Sequence, residues 1–226
     1  MVKQMKQNLQ HLLSKARLCE KELDWKSAIK FYKSALTLEP GHLESHHNLG
    51  IALRHDSQME ASLNSASLAA NIAPEHPIVQ FSLGVSLEKM KKITDAIEAY
   101  QKSIKLRPDY VAALSNLGRL LEIKGRSIEA IKVLERAISI EPNSIESIIN
   151  LSNSYLAAGQ PQDTIGILEP FVKQGKIQSD ASLSLALNTL AVAAHTLGKK
   201  NTAIKQFKKA IEKMPYFAEA HENLAQ

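Results

Sequence analysis

The chain is poor in cysteine, in aromatic residues and in long apolar runs. Cys19 is the only cysteine among 226 residues, so an intrachain disulfide is excluded and a reducing, cytoplasmic location is expected. Aromatic residues make up 5% of the sequence, while Ala, Leu, Ile, Ser and Lys dominate, which favours helix. No apolar run approaches the ~20 residues needed to span a bilayer. The charged N-terminal stretch lacks the apolar segment of a signal peptide, and we expect none.

The chain also lacks a strong charge of one sign. Its 28 Lys+Arg against 23 Asp+Glu give a net charge of +5, spread along the sequence. Nucleic-acid binding would need a concentrated basic patch with interleaved aromatics. The lysines that come closest fall mostly in predicted turns and on outer helix faces: Lys89, Lys91, Lys92, Lys199, Lys200, Lys208 and Lys209. The sequence therefore predicts no nucleic-acid partner.

What the chain does contain is an internal repeat. Pro40, Pro74, Pro108 and Pro142 are each 34 residues apart, and similar words precede them, such as "KSALTLEP" and "ERAISIEP". A second word recurs earlier in each period, as "HNLGIAL", "FSLGVSL" and "SNLGRLL". Two words in a fixed register over several periods indicate a solenoid of repeated units.

The unit at 111–144 shows what each repeat folds into. Its first half carries apolar or small residues at helical spacing, Leu114, Leu117, Gly118 and Leu121. The "KGR" at 124–126 predicts a turn, and a second helical pattern follows with Ala130, Ile131, Leu134, Ala137 and Ile138. Pro142 ends that helix. Each unit is thus a helical hairpin whose two helices approach closely at Gly118, Ala130 and Ala137.

These residues resemble the tetratricopeptide repeat family, in the 34-residue period, the Leu117–Gly118 pair, Leu121, Ala130, Leu134, Ala137 and Pro142. The resemblance implies an all-α α-solenoid, a right-handed superhelix of stacked helix-turn-helix repeats. Residues 1–8 extend the first helix, and a partial seventh repeat or capping helix occupies 218–226. The six repeats between them are 9–42, 43–76, 77–110, 111–144, 145–183 and 184–217.

Repeats two and five depart from the pattern. Ser62 and Thr164 stand where the other units have alanine, and Pro170 falls inside a predicted second helix. The interval from Pro142 to Pro215 is 73 residues, five more than two regular periods. Ser179 or Asp180 could cap the next helix about one turn early.

The resemblance further implies that the first helix of each unit lines a concave groove. One groove position holds a small hydrogen-bonding residue in every unit: Ser14, Asn48, Ser82, Asn116, Asn150, Thr189 and Asn223. Because an amide both donates and accepts, this column could hold the backbone of an extended peptide. It is similar to the asparagine ladder of the O-linked N-acetylglucosamine transferases. Since "NLG" is common in the family, an inherited structural role is the alternative.

The remaining groove positions are mostly uncharged. In repeats two and three they predict an apolar patch made of His47, Ile51, Ile78, Phe81 and Val85. In repeats four and five the groove positions include Arg119 and Asn153. The alternative is that Phe81 and Ile78 pack within the stack. Repeat domains that hold chaperone C-terminal tails place lysines and an arginine around an asparagine, and neither Asn48 nor Asn116 has such surroundings. Chaperone tails are therefore not expected as ligands.

No catalytic or metal-binding constellation is found. The "HENLA" at His221 starts like the HExxH motif of zinc proteases, but Ala225 replaces its second histidine. In "GHLESHHNLG", His46 aligns with the buried Leu114 and His42 with the turn between repeats, which argues against a metal site. We expect a non-enzymatic scaffold, without cofactor or metal, that binds protein or peptide segments. The alternative is the recruitment arm of a larger enzyme such as a glycosyltransferase or sulfotransferase.

Overall fold

The computed structural model describes residues 2–225, which form helices joined by short turns without any strand. The chain divides into two compact units, unit 1 at 1–108 and unit 2 at 109–226. Unit 1 contains α1 Val2–Lys21, α2 Trp25–Leu38, α3 Leu43–His55, α4 Met59–Ile72, α5 Pro77–Lys89 and α6 Ile93–Leu106. Unit 2 contains α7 Val111–Ile123, α8 Ser127–Ile140, α9 Ile145–Ala157, α10 Pro161–Lys173, α11 Asp180–Thr196, α12 Lys200–Lys213 and α13 Ala218–Ala225.

Within each unit, consecutive helices pair into hairpins and each hairpin packs against the next. In unit 1, α1 packs on α2, α3 on α4 and α5 on α6, and the contacts between α2 and α3 and between α4 and α5 join the hairpins. Unit 2 repeats this scheme, and in both units neighbouring first helices also touch directly, α3 with α5, α7 with α9 and α9 with α11. The predicted all-α solenoid fold of stacked helix-turn-helix repeats is confirmed. No helix within residues 2–225 is long and apolar enough to cross a membrane.

The two helices of a hairpin touch where the sequence predicts small residues. A Cβ built on Gly118 would lie 2.4 Å from Cγ of Leu134 on the paired helix, and one on Gly84 would lie 2.6 Å from the Tyr100 ring. Ala130 and Ala137 are fully buried on the facing helix. The expected close approach at these positions is confirmed, and it leaves no room for a larger side chain.

The hydroxyl residues that replace alanine in repeats two and five are buried but hydrogen-bonded. Ser62 Oγ donates to the Gly50 carbonyl at 2.7 Å, and Thr164 Oγ1 donates to the Ser152 carbonyl at 3.0 Å. Gly50 and Ser152 hold the same position as Gly118 in their repeats. Each hydroxyl thus bonds to the backbone of the paired helix, which offsets the desolvation of a polar group in the core.

The five extra residues of repeat five lengthen the next helix. α11 begins at Asp180, and the Ser179 hydroxyl accepts a hydrogen bond from the Ser182 N–H at 3.4 Å. The predicted early cap is confirmed. Ile177, in the connection before it, is buried in a cluster with Ile148, Leu168 and Leu190, so the connection is anchored to the core of unit 2.

The turn inside each hairpin uses one residue in the left-handed backbone region. Gly125 has a φ of +73°, and the equivalent residue one repeat earlier, Lys91, has a φ of +59°. A Cβ on Gly125 would meet nothing within 4 Å, so Gly125→Ala tests the backbone alone. We expect Gly125→Ala to lower the free energy of unfolding by about 1 kcal/mol, because an L residue is strained there.

Lys91→Gly is the reciprocal change. We expect it to raise the free energy of unfolding by about 0.5 kcal/mol, since the strain that is relieved exceeds the extra chain entropy of glycine. Equilibrium unfolding in urea measures both. A Lys91→Gly variant that is less stable than the wild type would contradict the strain argument.

Candidate functional site

The predicted site residues all lie on the first helices of the repeats, whose surfaces beside the paired second helices are the candidate site. We call these surfaces the first-helix face of unit 1 (α1, α3 and α5) and of unit 2 (α7, α9, α11 and α13). His47, Asn48 and Ile51 lie on α3, Ile78, Phe81 and Val85 on α5, Asn116 and Arg119 on α7, and Asn150 and Asn153 on α9. Ile78 is exposed, Asn150 is buried, and the other eight are half-buried.

The first-helix face of unit 1 carries the predicted apolar side chains. Ile78 is 39% exposed, while Ile51 and Val85 are half-buried. The Phe81 ring packs against Tyr100 of α6, with centroids 5.7 Å apart and an interplanar angle of 41°. Phe81 is therefore partly covered within its own hairpin, whereas Ile78 faces solvent.

Polar side chains of α1 and α3 pair with one another beside this apolar surface. Arg17 and Glu44 form an ion pair in which Arg17 Nε lies 3.0 Å from Oε1 of the glutamate. The carboxyl hydrogen bond is the largest cause that raises the Arg17 pKa. The Asn48 amide also reaches Glu44 Oε1, at 3.5 Å. Asn48 is thus held by a carboxylate of its own helix.

Within residues 2–225, two basic side chains on α3, those of Arg54 and His47, form no ion pair with a carboxylate. Arg54 Nη1 lies 3.5 Å from Ser86 Oγ of α5, and burial lowers the Arg54 pKa. Burial is also the main cause that lowers the pKa of His47, with His76 and Arg54 adding to the effect. Within residues 2–225, His47 Nδ1 is buried without a hydrogen-bond partner. The sequence reasoning missed Arg54, although it lies one turn beyond Ile51 on the same face.

In unit 2, the polar column connects neighbouring first helices. Asn150 is only 8% exposed, and its Nδ2 donates to the Ser115 carbonyl of α7 at 3.4 Å. Thr189 Oγ1 donates to Asn153 Oδ1 at 2.9 Å, joining α11 to α9. Asn223 Nδ2 donates to Asn188 Oδ1 at 3.2 Å, joining α13 to α11. The column therefore has a structural role in this unit, and peptide binding by it stays a prediction.

A pocket of about 410 Å³ opens on the first-helix face of unit 2. Its wall comes from the first helices of four consecutive repeats: Glu122 of α7, Asn153, Leu156 and Ala157 of α9, Leu185, Asn188 and Thr189 of α11, and Glu219 of α13. Asn188 Nδ2 donates to Glu219 Oε1 at 3.0 Å, which fixes that carboxylate at the rim. Burial alone raises the pKa of Glu122.

Of the residues that the sequence places in the groove, Asn153 and Thr189 line this pocket. The sequence reasoning missed Glu122, Leu156, Leu185 and Glu219, although each belongs to a first helix. In an alignment of the repeats, Leu185 and Glu219 occupy the position of Ile78. Glu122 and Leu156 occupy the position of Arg54. Those two positions of the repeat supply four of the residues that line the pocket.

The three histidines of the 41–50 stretch have separate surroundings. His42 caps α3, where its Nδ1 accepts from the Ser45 N–H at 3.2 Å. His46 is 8% exposed, and its Nε2 lies 2.7 Å from the Pro40 carbonyl. The predicted buried position of His46 and turn position of His42 are both confirmed.

Comparison with known families identifies the repeats. A TPR repeat model matches residues 89–125, and a tetratricopeptide repeat model matches residues 111–144 and 185–212. The chain contains tetratricopeptide repeats. A comparison with curated protein sequences finds no match.

Solved structures of other proteins share the fold. PilW, a type IV pilus biogenesis factor, is 17% identical with a TM-score of 0.80, over 96% of this chain and 98% of PilW. PilF of Pseudomonas aeruginosa is 15% identical with a TM-score of 0.78, over 98% of each chain. YrrB, a TPR protein with an unusual peptide-binding site, is 15% identical with a TM-score of 0.67, over 86% of this chain and 98% of YrrB.

The structural role of the column predicts a cost for Asn150→Ala. Loss of the hydrogen bond to the Ser115 carbonyl should lower the free energy of unfolding by about 1 kcal/mol. Asn64→Ala, at an exposed position of α4, is the matched control and should leave stability unchanged or slightly raised, since alanine is the better helix former. Thermal or urea unfolding measures both. Equal stability of the two variants would show that the Asn150 amide does not hold the helices together.

Proposed function

We propose that this tetratricopeptide repeat protein is a non-enzymatic scaffold that binds peptide or protein segments on its first-helix faces. The observation that carries the proposal is the pocket of unit 2, to which the first helices of four consecutive repeats contribute. A pocket of about 410 Å³ falls within the range of ligand sites, about 300–1,000 Å³. Because its walls belong to packed helices, it is preformed, which lowers the entropic cost of binding.

The side chains of the two faces suit peptide recognition. In unit 1, Ile51, Ile78, Phe81 and Val85 offer an apolar surface to hydrophobic side chains of a partner, with His47 and Asn48 beside them. In unit 2, Asn153 Oδ1 accepts from Thr189, which leaves the Asn153 N–H groups to donate to a peptide carbonyl. Asn116 and Arg119 complete the proposed contacts on α7, and Asn150 supports them from the interior.

The comparisons support the same class of function. YrrB, whose fold this chain shares, has a peptide-binding site, and the repeat family provides extended surfaces made of first helices. The alternative role, a recruitment arm of a larger glycosyltransferase or sulfotransferase, stays a prediction that the native reading frame would test.

The proposal is tested by filling the pocket of unit 2. Ala157 is exposed and lines the pocket, so Ala157→Trp should occupy it without disturbing the core. Peptides are first selected on the immobilised wild-type protein from a random phage-displayed library, and their affinities are then measured by fluorescence anisotropy. We expect Ala157→Trp to weaken binding of selected peptides by at least about tenfold, as for loss of a central contact.

The control places the same side chain on a second helix. Ser139 is exposed on α8, and Ser139→Trp should leave the affinities unchanged. The proposed site is wrong if peptides bind equally well to Ala157→Trp, and the proposed function is wrong if the wild-type protein selects no peptide above an unrelated helical protein.

A further inference from the structure

The pocket of unit 2 has a charge opposite to that of the chain. Among the described residues, 2–225, the ionisable side chains that line it are the carboxylates of Glu122 and Glu219, although the whole sequence has a net charge of +5. Within residues 2–225, no lysine or arginine forms an ion pair with Glu122, and no cation contributes to its raised pKa. A partly buried carboxylate without a counter-ion costs free energy, which a cationic guest would recover.

The rest of the wall suits the stem of a long basic side chain. Leu156, Ala157 and Leu185 supply apolar surface, and the 41% exposure of Leu185 shows that this surface is open to a guest. Lysine and arginine carry several methylene groups below the charge, and these pack on apolar surface while the charged end meets polar groups. Asn153 adds an amide that can orient a guanidinium or the adjoining backbone.

Glu219 is held in position before any guest arrives. Its Oε1 accepts from Asn188 Nδ2 at 3.0 Å, and Asn188 Oδ1 in turn accepts from Asn223 at 3.2 Å. Asn188 is only 4% exposed, so the network that orients this carboxylate is part of the core. A fixed carboxylate loses less entropy on pairing with a cation than a mobile one.

We propose that the pocket formed by Glu122, Leu156, Leu185 and Glu219 binds a lysine or arginine side chain of the partner, so that basic peptide segments are the ligands of unit 2. This inference rests on the proposed function, namely that peptides bind on the first-helix face. What it adds is that the bound peptide segment is basic. Arginine is the better guest, because its planar fork can bond to two carboxylate oxygens at once.

The test uses two probes that have nearly the same shape. The tripeptide acetyl-Gly-Arg-Gly-amide carries the positive charge, and acetyl-Gly-citrulline-Gly-amide replaces the guanidinium with a neutral urea. Each is titrated to about 10 mM, above the millimolar Kd expected for so small a ligand, into ¹⁵N-labelled full-length protein. The readout is the shift of the side-chain amide signals of Asn153 and Asn188.

We expect saturable shifts with the arginine probe and much smaller shifts with the citrulline probe. Glu122→Gln and Glu219→Gln should each weaken binding of the arginine probe by about tenfold, as for loss of a charge-assisted contact. Glutamine at residue 219 still accepts from Asn188, so the fold is kept. Glu212→Gln, at an exposed position of α12, is the matched control and should bind like the wild type.

The inference is overturned if the arginine probe leaves both amide signals unshifted or if citrulline binds equally well. It is also overturned if Glu212→Gln weakens binding as much as the two pocket variants. These results differ from a failure of the proposed function, which the phage-selected peptides report independently. If the selected peptides lose affinity with Ala157→Trp but lack basic residues, the proposed function stands and the proposed basic guest is wrong.

Discussion

The structure depends on the close approach of the two helices in each hairpin. At Gly118 the backbone of α7 lies so near to Leu134 that a single added carbon would be 2.4 Å from its Cγ. Where alanine in the partner helix is replaced, as at Ser62 and Thr164, the hydroxyl bonds to the paired backbone at 2.7 and 3.0 Å. Since interiors are close-packed, this spacing fixes which side of each first helix is buried. The other side is then available for recognition.

Recognition and stability share the first-helix face of unit 2. The amides and hydroxyls that a peptide would meet are the groups that connect α7, α9, α11 and α13 to one another. Asn150, at 8% exposure, holds neighbouring helices together from the interior, whereas Asn153 is half-buried and lies at the surface. The two residues are only three positions apart on one helix. A substitution on this face can therefore weaken binding by loosening the helices as well as by removing a contact. Separate measurements of stability and affinity distinguish the two effects.

The fold could be predicted from the sequence because its period is fixed by local rules. Proline ends a helix, glycine and alanine allow close packing, and the apolar spacing repeats every 34 residues. The long interval after Pro142 likewise predicted the early start of α11 at Asp180. The site was less predictable, since exposure depends on the neighbouring repeats. Asn116 and Asn150 occupy the same position in the sequence pattern, yet one is half-buried and the other is buried.

Net charge averages over surfaces that a ligand never meets, so it does not report the charge of a single pocket. The chain has a net charge of +5, yet within residues 2–225 the ionisable groups that line the unit 2 pocket are two carboxylates. The net positive charge opposes a basic segment at a distance, whereas the two carboxylates attract it at short range, within the screening length of the solvent. A neutral side chain would bury Glu122 further without a partner. The pocket thus favours a basic side chain for two reasons. A basic side chain pairs with the carboxylates, and a neutral one leaves the Glu122 carboxylate without a partner.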